Sequence, residues 1–588
     1  MMRYLILILI FLLAAAGRII NIDAESLWVD EGFSYWAIRH HDMLGLILRD
    51  VHPPLYFIGL RGWVEVAGIT ELALRYFSVL PSLLSVAMIY QLAREVGYLR
   101  RHTSNIFPML AALMLALADM ENYIAQQARM YTWHVLWVIV SMWAFLRWQR
   151  VQKRFPLIIW AVSSLLLIYT HYIGLAALGV QGVYALIFLR DKTRQQAIIV
   201  LMIVVGLFIP WMLAVVSNQT ANVGTGFNVP SSLESLWNWR IEWFTGQWAL
   251  LMGLAFWGLL TWQDREFRVA LRSGFLLVMW VVVPVAGAYI LNYYTPILMD
   301  YRLTQITPAI ALLIALGLSN FRQPTLGFLV AVILVYGVAI NDTPRPRPPW
   351  REVGRNAALY AQAGDLALAH VEPSGDWQVM YYFERFMPDV ERRSIRQWKL
   401  ESPETYGFLP DLLRQYPHVW YMHWSSDMDV FRMLTETGHV QTAVMSEDWL
   451  GNDLNVYRFD VLPDEPVITY ENGMILRDFT FIPEQQRLDL WWSVDTPLTV
   501  DYTISAFLLD SSGILVAQSD AQPFNNQRPT TTFAVDEVVY DPHVLLPDVP
   551  AGTYTLAVKI YLWTPQGLIV QQTADGAEFA TLGTVRLP

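Results

Sequence analysis

The sequence predicts a polytopic α-helical membrane protein that carries two solvated domains in its C-terminal half. Two observations predict this. Hydrophobic residues make up 55% of the 588 positions, 25 residues are Trp, and the mean hydropathy is +0.34. That composition belongs to a membrane protein rather than a soluble one. The charge is also split. Residues 1–341 hold 23 Lys+Arg against 17 Asp+Glu, while residues 342–588 hold 17 against 34, so the net −11 joins a basic half to a strongly acidic one. An acidic, solvated half gives nucleic acid no electrostatic footing as a partner. There is no Cys, so there is neither a disulfide framework nor thiolate chemistry.

The elements follow in order. Met1-Met2-Arg3 before YLILILIFLLAAAG has the outline of a cleavable signal peptide. The apolar run extends to Ile22, about 18 residues, and reads as a retained span. Further apolar runs lie at 74–93, 106–118, 131–146, 156–171, 173–189, 196–216, 247–262, 273–291, 304–319 and 324–340. The total is about eleven, several of them shorter than the ~20 residues of a full span. Basic residues set the orientation. With the N-terminus cytoplasmic, the inner loops carry Arg94, Arg100 and Arg101, then Arg147, Arg150, Lys153 and Arg154, then Arg190, Lys192 and Arg194, then Arg265, Arg268 and Arg272, and last Arg322. An odd number of spans puts everything beyond 341 outside, in an extracellular or periplasmic space.

Residues 1–341 are therefore expected to form the membrane domain. Thr343-Pro-Arg-Pro-Arg-Pro-Pro349 makes 342–349 a stiff, extended linker. Residues 350–462 alternate: WREVGRNAALYAQAG reads as a helix closed by Gly364, LALAHV, VMYYF and HVWYMHW as short strands, and FRMLTETG as a second helix. That alternation predicts a small α/β domain. Residues 463–588 change to period-two runs, RLDLWWSV, VDYTISAFLLD, GILVAQSD and TYTLAVKIYLW, with Asp510-Ser-Ser-Gly513 as a hairpin turn. They predict a β-sandwich. No internal repeat and no low-complexity tract is visible.

Polar groups gather at the outer ends of the spans. Asp30 and Glu31 follow the first span, beside Trp28 and Tyr35. Acids at a membrane boundary are costly unless they face water or a substrate cavity, and such a carboxylate can take a proton from a hydroxyl nucleophile. The alternative is a helix-start cap. His52-Pro53-Pro54 fixes a turn in which His52 is either structural or placed to meet a phosphate. Arg129, in Gln126-Gln-Ala-Arg-Met-Tyr131, opens a span on the side where Arg is disfavoured. It is either a snorkelling interfacial residue or a bidentate phosphate fork. Tyr293-Tyr294 and Asp300-Tyr301-Arg302 lie on the same face, as do His171 and Tyr172 of Tyr169-Thr-His-Tyr172, and an interfacial aromatic belt accounts for the tyrosines as well. No Walker loop or Gly-rich dinucleotide fingerprint is present, so a nucleotide donor held in a soluble domain is not indicated.

WVDEGFSYW, HPPLYF, QARMYTWH, YTHYIG and the late Tyr-Arg-Leu…Pro segment, taken in that order over roughly residues 1–340, resemble the GT-C membrane glycosyltransferases of the protein O-mannosyltransferase and aminoarabinose-transferase type. The resemblance implies a polyprenyl-phosphate sugar donor used at the outer face. It implies that Asp30, with Glu31 adjacent, supplies the catalytic base, and that His52, Arg129 and Arg302 contact the donor phosphate. Tyr35, Tyr131, His171 and Tyr172 become candidate substrate contacts. Arg302 departs from the family's Arg-Tyr-Leu order, and Gln127 stands where bacterial relatives often carry Glu. The region beyond 342 is not covered.

The expected activity is inverting transfer of a hexose or pentose from that donor to a lipid, glycan or protein acceptor among the membrane lipids of the cell envelope. No cofactor is required by this reading. Asp30, Glu31, His52 and His171 are nevertheless a candidate hard-ligand set for a divalent ion. A transporter or flippase of an amphipathic lipid-linked substrate is the alternative, and it predicts polar groups at mid-span and repeated halves. A surface-anchored binding protein, with the sandwich as its working part, is the other. Neither accounts for polar residues concentrated at the outer span ends.

Overall fold

The computed structural model describes residues 2–99, 106–222, 252–257, 267–292, 300–319, 346–372, 375–396 and 407–588. The chain forms two compact units, Met1–Arg347 and Pro348–Pro588.

The first unit is helical. It begins with α1 (Met2–Ile19), α2 (Val29–Arg39), α3 (Met43–Arg49), α4 (Leu55–Ala67) and α5 (Glu71–Leu99). It continues with α6 (Ile106–Ala116), α7 (Asp119–Ala125), α8 (Tyr131–Val151), α9 (Arg154–Thr170), α10 (Gly174–Phe188) and α11 (Asp191–Asn222). Among the described residues, four helices are long and apolar enough to cross a membrane: Glu71–Leu99, Asp191–Val216, Leu271–Asn292 and Tyr301–Ser319. The bent pair α6–α7 makes a fifth when taken as one span. This is a multi-pass membrane protein with fewer qualifying spans than the eleven expected. Arg154–Thr170 and Gly174–Phe188 are apolar but short, and α8 dilutes its apolar run with Thr132, His134, Ser141, Arg147 and Arg150. The run at 324–340 and most of 247–262 fall outside the described residues.

One buried cation sets the shape of the region before α8. α6 and α7 meet at 55°. Arg18, at the end of α1 and fully buried, donates to the Leu115 and Ala116 carbonyls at 3.2 and 3.0 Å and to Asn122 Oδ1 at 2.8 Å. A guanidinium satisfies the orphan carbonyls of a helix C-terminus and matches its dipole. Arg18 thus holds the bend after which the Arg129 segment runs.

The second unit begins with the helix Trp350–Ala358 and a mixed five-stranded sheet of order β2-β1-β3-β5-β4, with β1 Leu366–Val371, β2 Glu391–Ser394, β3 His418–Trp424, β4 Val440–Trp449 and β5 Asn452–Asp460. VMYYF is not a strand but part of the helix Trp377–Phe386. Its apolar residues Val379, Tyr382 and Phe383 recur at helical spacing and are buried on one side, a pattern that a short run leaves open. Two antiparallel sheets follow. One has the order β11-β8-β7-β6 and the other β10-β9-β12-β13, with β14 also on β12. Their ranges are β6 Ile468–Thr469, β7 Met474–Ile482, β8 Arg487–Val494, β9 Thr503–Leu509, β10 Leu515–Ala521, β11 Val539–Val544, β12 Gly552–Thr564, β13 Gly567–Gln571 and β14 Ala580–Leu587.

Leu488, Leu490 and Trp492 of β8 share one core with Ile504 and Leu508 of β9 and Leu556, Val558 and Ile560 of β12. The β9–β10 turn closes with Gly513 N–H donating to the Asp510 carbonyl at 3.0 Å, Gly513 adopting φ +77. The other face of β8 is buried too. Trp491 Nε1 donates to Asp460 at 2.8 Å, and the Arg458 guanidinium lies 3.8 Å over the Tyr540 ring.

Candidate active site

Five segments converge: the start of α2, the Asp50–Pro54 turn, the stretch before α8, the break between α9 and α10, and a 3-10 turn at Asp300–Ile306. α2 starts at Trp28, whose extended backbone precedes the helix and whose N–H donates to Glu31 Oε2 at 3.3 Å. Both acids of the pair lie in the first turn, where carboxylates suit the helix dipole.

Glu31 is fully buried and saturated. Arg75 of α5 grips it with Nε to Oε1 at 2.8 Å and Nη2 to Oε2 at 2.9 Å. The Ala128 N–H donates to Oε1 at 2.9 Å, and Arg347 Nη1 to Oε2 at 2.7 Å. Burial alone would raise this carboxyl, but Arg75, Arg347 and the Ala128 N–H together hold it down at about 2. Arg75 also donates to the Ile22, Glu25 and Ser26 carbonyls at 2.6, 2.9 and 3.0 Å. It ties the loop before α2 to a membrane helix.

Asp30 is the opposite case. Its side chain is 31% exposed, with Oδ2 lying 3.8 Å from Arg129 Nε. Arg129 is buried. It donates through Nη1 to the Asp30 carbonyl at 3.2 Å and to Ser34 Oγ at 3.3 Å, and its Nη2 meets His52 Nε2 at 3.1 Å. Ser78 Oγ of α5 holds the Arg129 carbonyl at 3.0 Å. Among the described residues, the buried donors Arg129 Nε and Trp28 Nε1 have no hydrogen-bond acceptor. His52 is oriented from behind by Asp50, Nδ1 to Oδ2 at 2.8 Å. Burial would raise the Asp50 carboxyl, while His52 opposite holds it below the usual carboxylate value.

Aromatic rings surround this core. Tyr131 packs on Tyr301 at 5.2 Å and on His171 at 6.1 Å, Tyr301 on Trp28 at 6.3 Å, and His52 on His171 at 6.3 Å. Arg302 follows Tyr301 in the 3-10 turn. Asp30, His52, Arg129, Tyr131 and His171 are therefore neighbours, and Arg302 stands next to Tyr301 in the chain. Tyr172 is turned elsewhere: its hydroxyl accepts from Trp211 Nε1 at 3.0 Å and its ring faces Phe208. Tyr35 is buried within α2. Tyr293 and Tyr294 lie outside the described residues.

Sequence reasoning missed Arg75, Asp50 and Arg347. Arg75 carries the signal that singled out Arg129, a cation at the span end where the expected orientation disfavours Arg. Asp50 stands two residues before His52. Arg347 gives no signal, since an Arg among prolines reads as solvated linker. Asp30, Glu31, His52 and His171 do not form a metal-ligand set, because both Glu31 oxygens are taken by guanidinium and backbone donors. Among the described residues no group of three or more His, Cys, Asp or Glu is arranged to hold a metal ion.

No family model matches this chain, and no curated protein matches it in sequence. Solved structures do match. ArnT from Cupriavidus metallidurans bound to undecaprenyl phosphate aligns with 78% of this chain and 98% of its own, with a TM-score of 0.55 at 13% identity. The fold is ArnT-like. The apo state of the same enzyme gives 77%, 97%, 0.55 and 12%. An oligosaccharyltransferase from Archaeoglobus fulgidus aligns with 94% of this chain and 96% of its own, with a TM-score of only 0.41 at 10% identity. These are GT-C glycosyltransferases, the group the motifs resemble. At such identities the likeness to ArnT establishes fold, and function has to be argued from the site.

Proposed function

We propose that this chain is an integral membrane glycosyltransferase that moves a sugar from a polyprenyl-phosphate donor to an acceptor at the outer face, with inversion. The carrying observation is a buried guanidinium with an unused Nε donor, Arg129, 3.8 Å from a part-exposed carboxylate, Asp30. One suits a phosphate and the other a nucleophile's proton. The ArnT-like fold supports the reading, and the ArnT structure itself is bound to undecaprenyl phosphate.

In this mechanism Asp30 takes the proton of an acceptor hydroxyl or amine as that atom attacks the anomeric carbon. The bond from the anomeric carbon to the phosphate oxygen breaks, and polyprenyl phosphate departs with the electron pair. Arg129, with His52 and Arg302 beside it, stabilises the charge that grows on the phosphate. Asp50 keeps the His52 ring in place. Glu31 is a positioning residue rather than a second base, since its oxygens are occupied. Tyr131, Tyr301 and His171 are candidate walls for the sugar. The N-terminus is taken as cytoplasmic. Residues 350–462 and 463–588 are taken as an outer α/β domain and an outer β-sandwich.

The test is transfer from a radiolabelled polyprenyl-phosphate sugar by the full chain in detergent, with a membrane extract supplying the acceptor. Asp30→Asn should retain donor affinity while turnover falls by about 10²–10⁴. Unchanged turnover in that variant would remove Asp30 from the chemistry.

A further inference from the structure

Arg347 belongs to the proline-flanked linker, yet its guanidinium reaches into the first loop. Nη1 donates to Glu31 Oε2 at 2.7 Å and to the Ser26 carbonyl at 3.4 Å, and its own N–H faces Glu25 Oε2 at 3.3 Å. Arg75 already supplies Glu31 with one full counter-charge and two hydrogen bonds. Arg347 brings a second cation to the same carboxylate, with the Glu25 carboxylate beside it. What it adds is a further point of attachment, from a segment more than 300 residues away in sequence. Pro346, Pro348 and Pro349 on either side stiffen the backbone that delivers it.

Glu31 is joined by one peptide bond to Asp30, whose carbonyl is held by Arg129. Wherever the Glu31 carboxylate is anchored, the Asp30 backbone is anchored with it. We infer that Arg347 is a positioning residue for transfer: the linker clamps the Glu31 carboxylate and thereby sets Asp30 against the acceptor. This rests on the glycosyltransferase reading above.

The variants Arg347→Ala, Arg347→Gln and Arg347→Lys of the full chain test it, with donor affinity and turnover measured separately. A displacement of about 1 Å at a reacting group costs up to ~10²-fold. Arg347→Ala and Arg347→Gln should keep donor affinity within about twofold and lose about ten- to a hundredfold in turnover. Arg347→Lys should recover most of the rate, because Arg347 meets Glu31 through one nitrogen and not a fork. Amide hydrogen exchange of residues 22–31 should quicken in the neutral variants and not in Arg347→Lys. Turnover in Arg347→Gln equal to that of Arg347→Lys overturns the inference, as does a parallel fall of affinity and turnover in both. Should Arg347→Ala fail to fold, the Gln and Lys pair still decides. Asp30→Asn run alongside separates the two claims. If Asp30→Asn turns over normally, the glycosyltransferase reading fails; if it is inactive and the Arg347 variants are normal, only the clamp is wrong.

Discussion

Replacing Arg75 by Ala should strip the first loop of its anchor, and the structure sets the size of the effect. Arg75 and Glu31 form a pair with no solvent on either partner, 1% and 0% exposed. Removing one member of such a pair costs about 3–5 kcal/mol, because the other charge stays buried. The Glu31 carboxyl reports the same grip: burial raises it, while Arg75, Arg347 and the Ala128 N–H together hold it at about 2 rather than 4.5. Arg347 still faces Glu31 in the variant, so the lower end, about 3 kcal/mol, is expected. The sign with pH follows. A depressed carboxyl contributes stability that is complete above its unfolded value and is lost as pH falls towards the folded one, here from 4.5 down to about 2. The difference between wild type and Arg75→Ala should therefore be full at neutral pH and shrink in acid. Thermal unfolding in detergent, followed by tryptophan fluorescence, measures it. Arg75→Ala combined with Glu31→Gln should regain part of the loss, since the stranded charge is gone. Equal melting of wild type and Arg75→Ala at neutral pH, or no recovery in the double variant, would refute the reasoning.

Two further outcomes are expected. Arg129→Ala should weaken binding of a polyprenyl-phosphate sugar by roughly 2–5 kcal/mol if the contact is desolvated, and Arg129→Lys by less, since charge remains but the fork is lost; unchanged affinity in Arg129→Ala, measured by equilibrium binding, would remove Arg129 from the donor site. For the proposed orientation, external protease on intact cells should cut near residues 343–349 and release the acidic C-terminal half, and cleavage there only after permeabilisation would reverse the topology.

How much of this was legible depended on the range of the interaction. Local signals read well. LALAHV and HVWYMHW lie in strands β1 and β3, Phe431–Glu436 of FRMLTETG in the helix Asp429–Glu436, and Asp510–Gly513 is a turn, because each is governed by neighbours within a few residues. VMYYF misled for the same reason: five apolar residues fit either period, and the burial of one side that decides for helix is set by the rest of the fold. The candidate site was legible as a list of polar residues at span ends where the expected orientation disfavours them. Its internal organisation was not. Glu31 meets Arg75 across 44 residues and Arg347 across 316, and no local pattern announces either partner. The spans suffered differently. Composition marks apolar runs, but whether a run becomes one long helix or two short ones depends on where polar residues such as Thr170 and His171 must be paired.

The pair Asp30-Glu31 shows why adjacent, chemically similar residues take unlike tasks. Both sit in the first turn of α2, and consecutive side chains on a helix project about 100° apart. Two neighbouring carboxylates cannot face the same environment. The register fixed by Trp28 at the N-cap turns Glu31 inward to Arg75 and leaves Asp30 partly in solvent beside Arg129. The inward acid is useful only while ionised and gripped, because that grip ties α2 to α5 and to the linker. In the proposed mechanism the outward acid is useful only while ungripped, because a base must have an oxygen to spare. Exchanging the two side chains would leave the composition of the loop unchanged and damage both tasks: Asp at 31 is one methylene too short to reach its guanidiniums, and Glu at 30 carries its oxygens past the position that Arg129 now faces. On the proposed reading the chemistry of the loop therefore resides in the register of α2 as much as in its two acids.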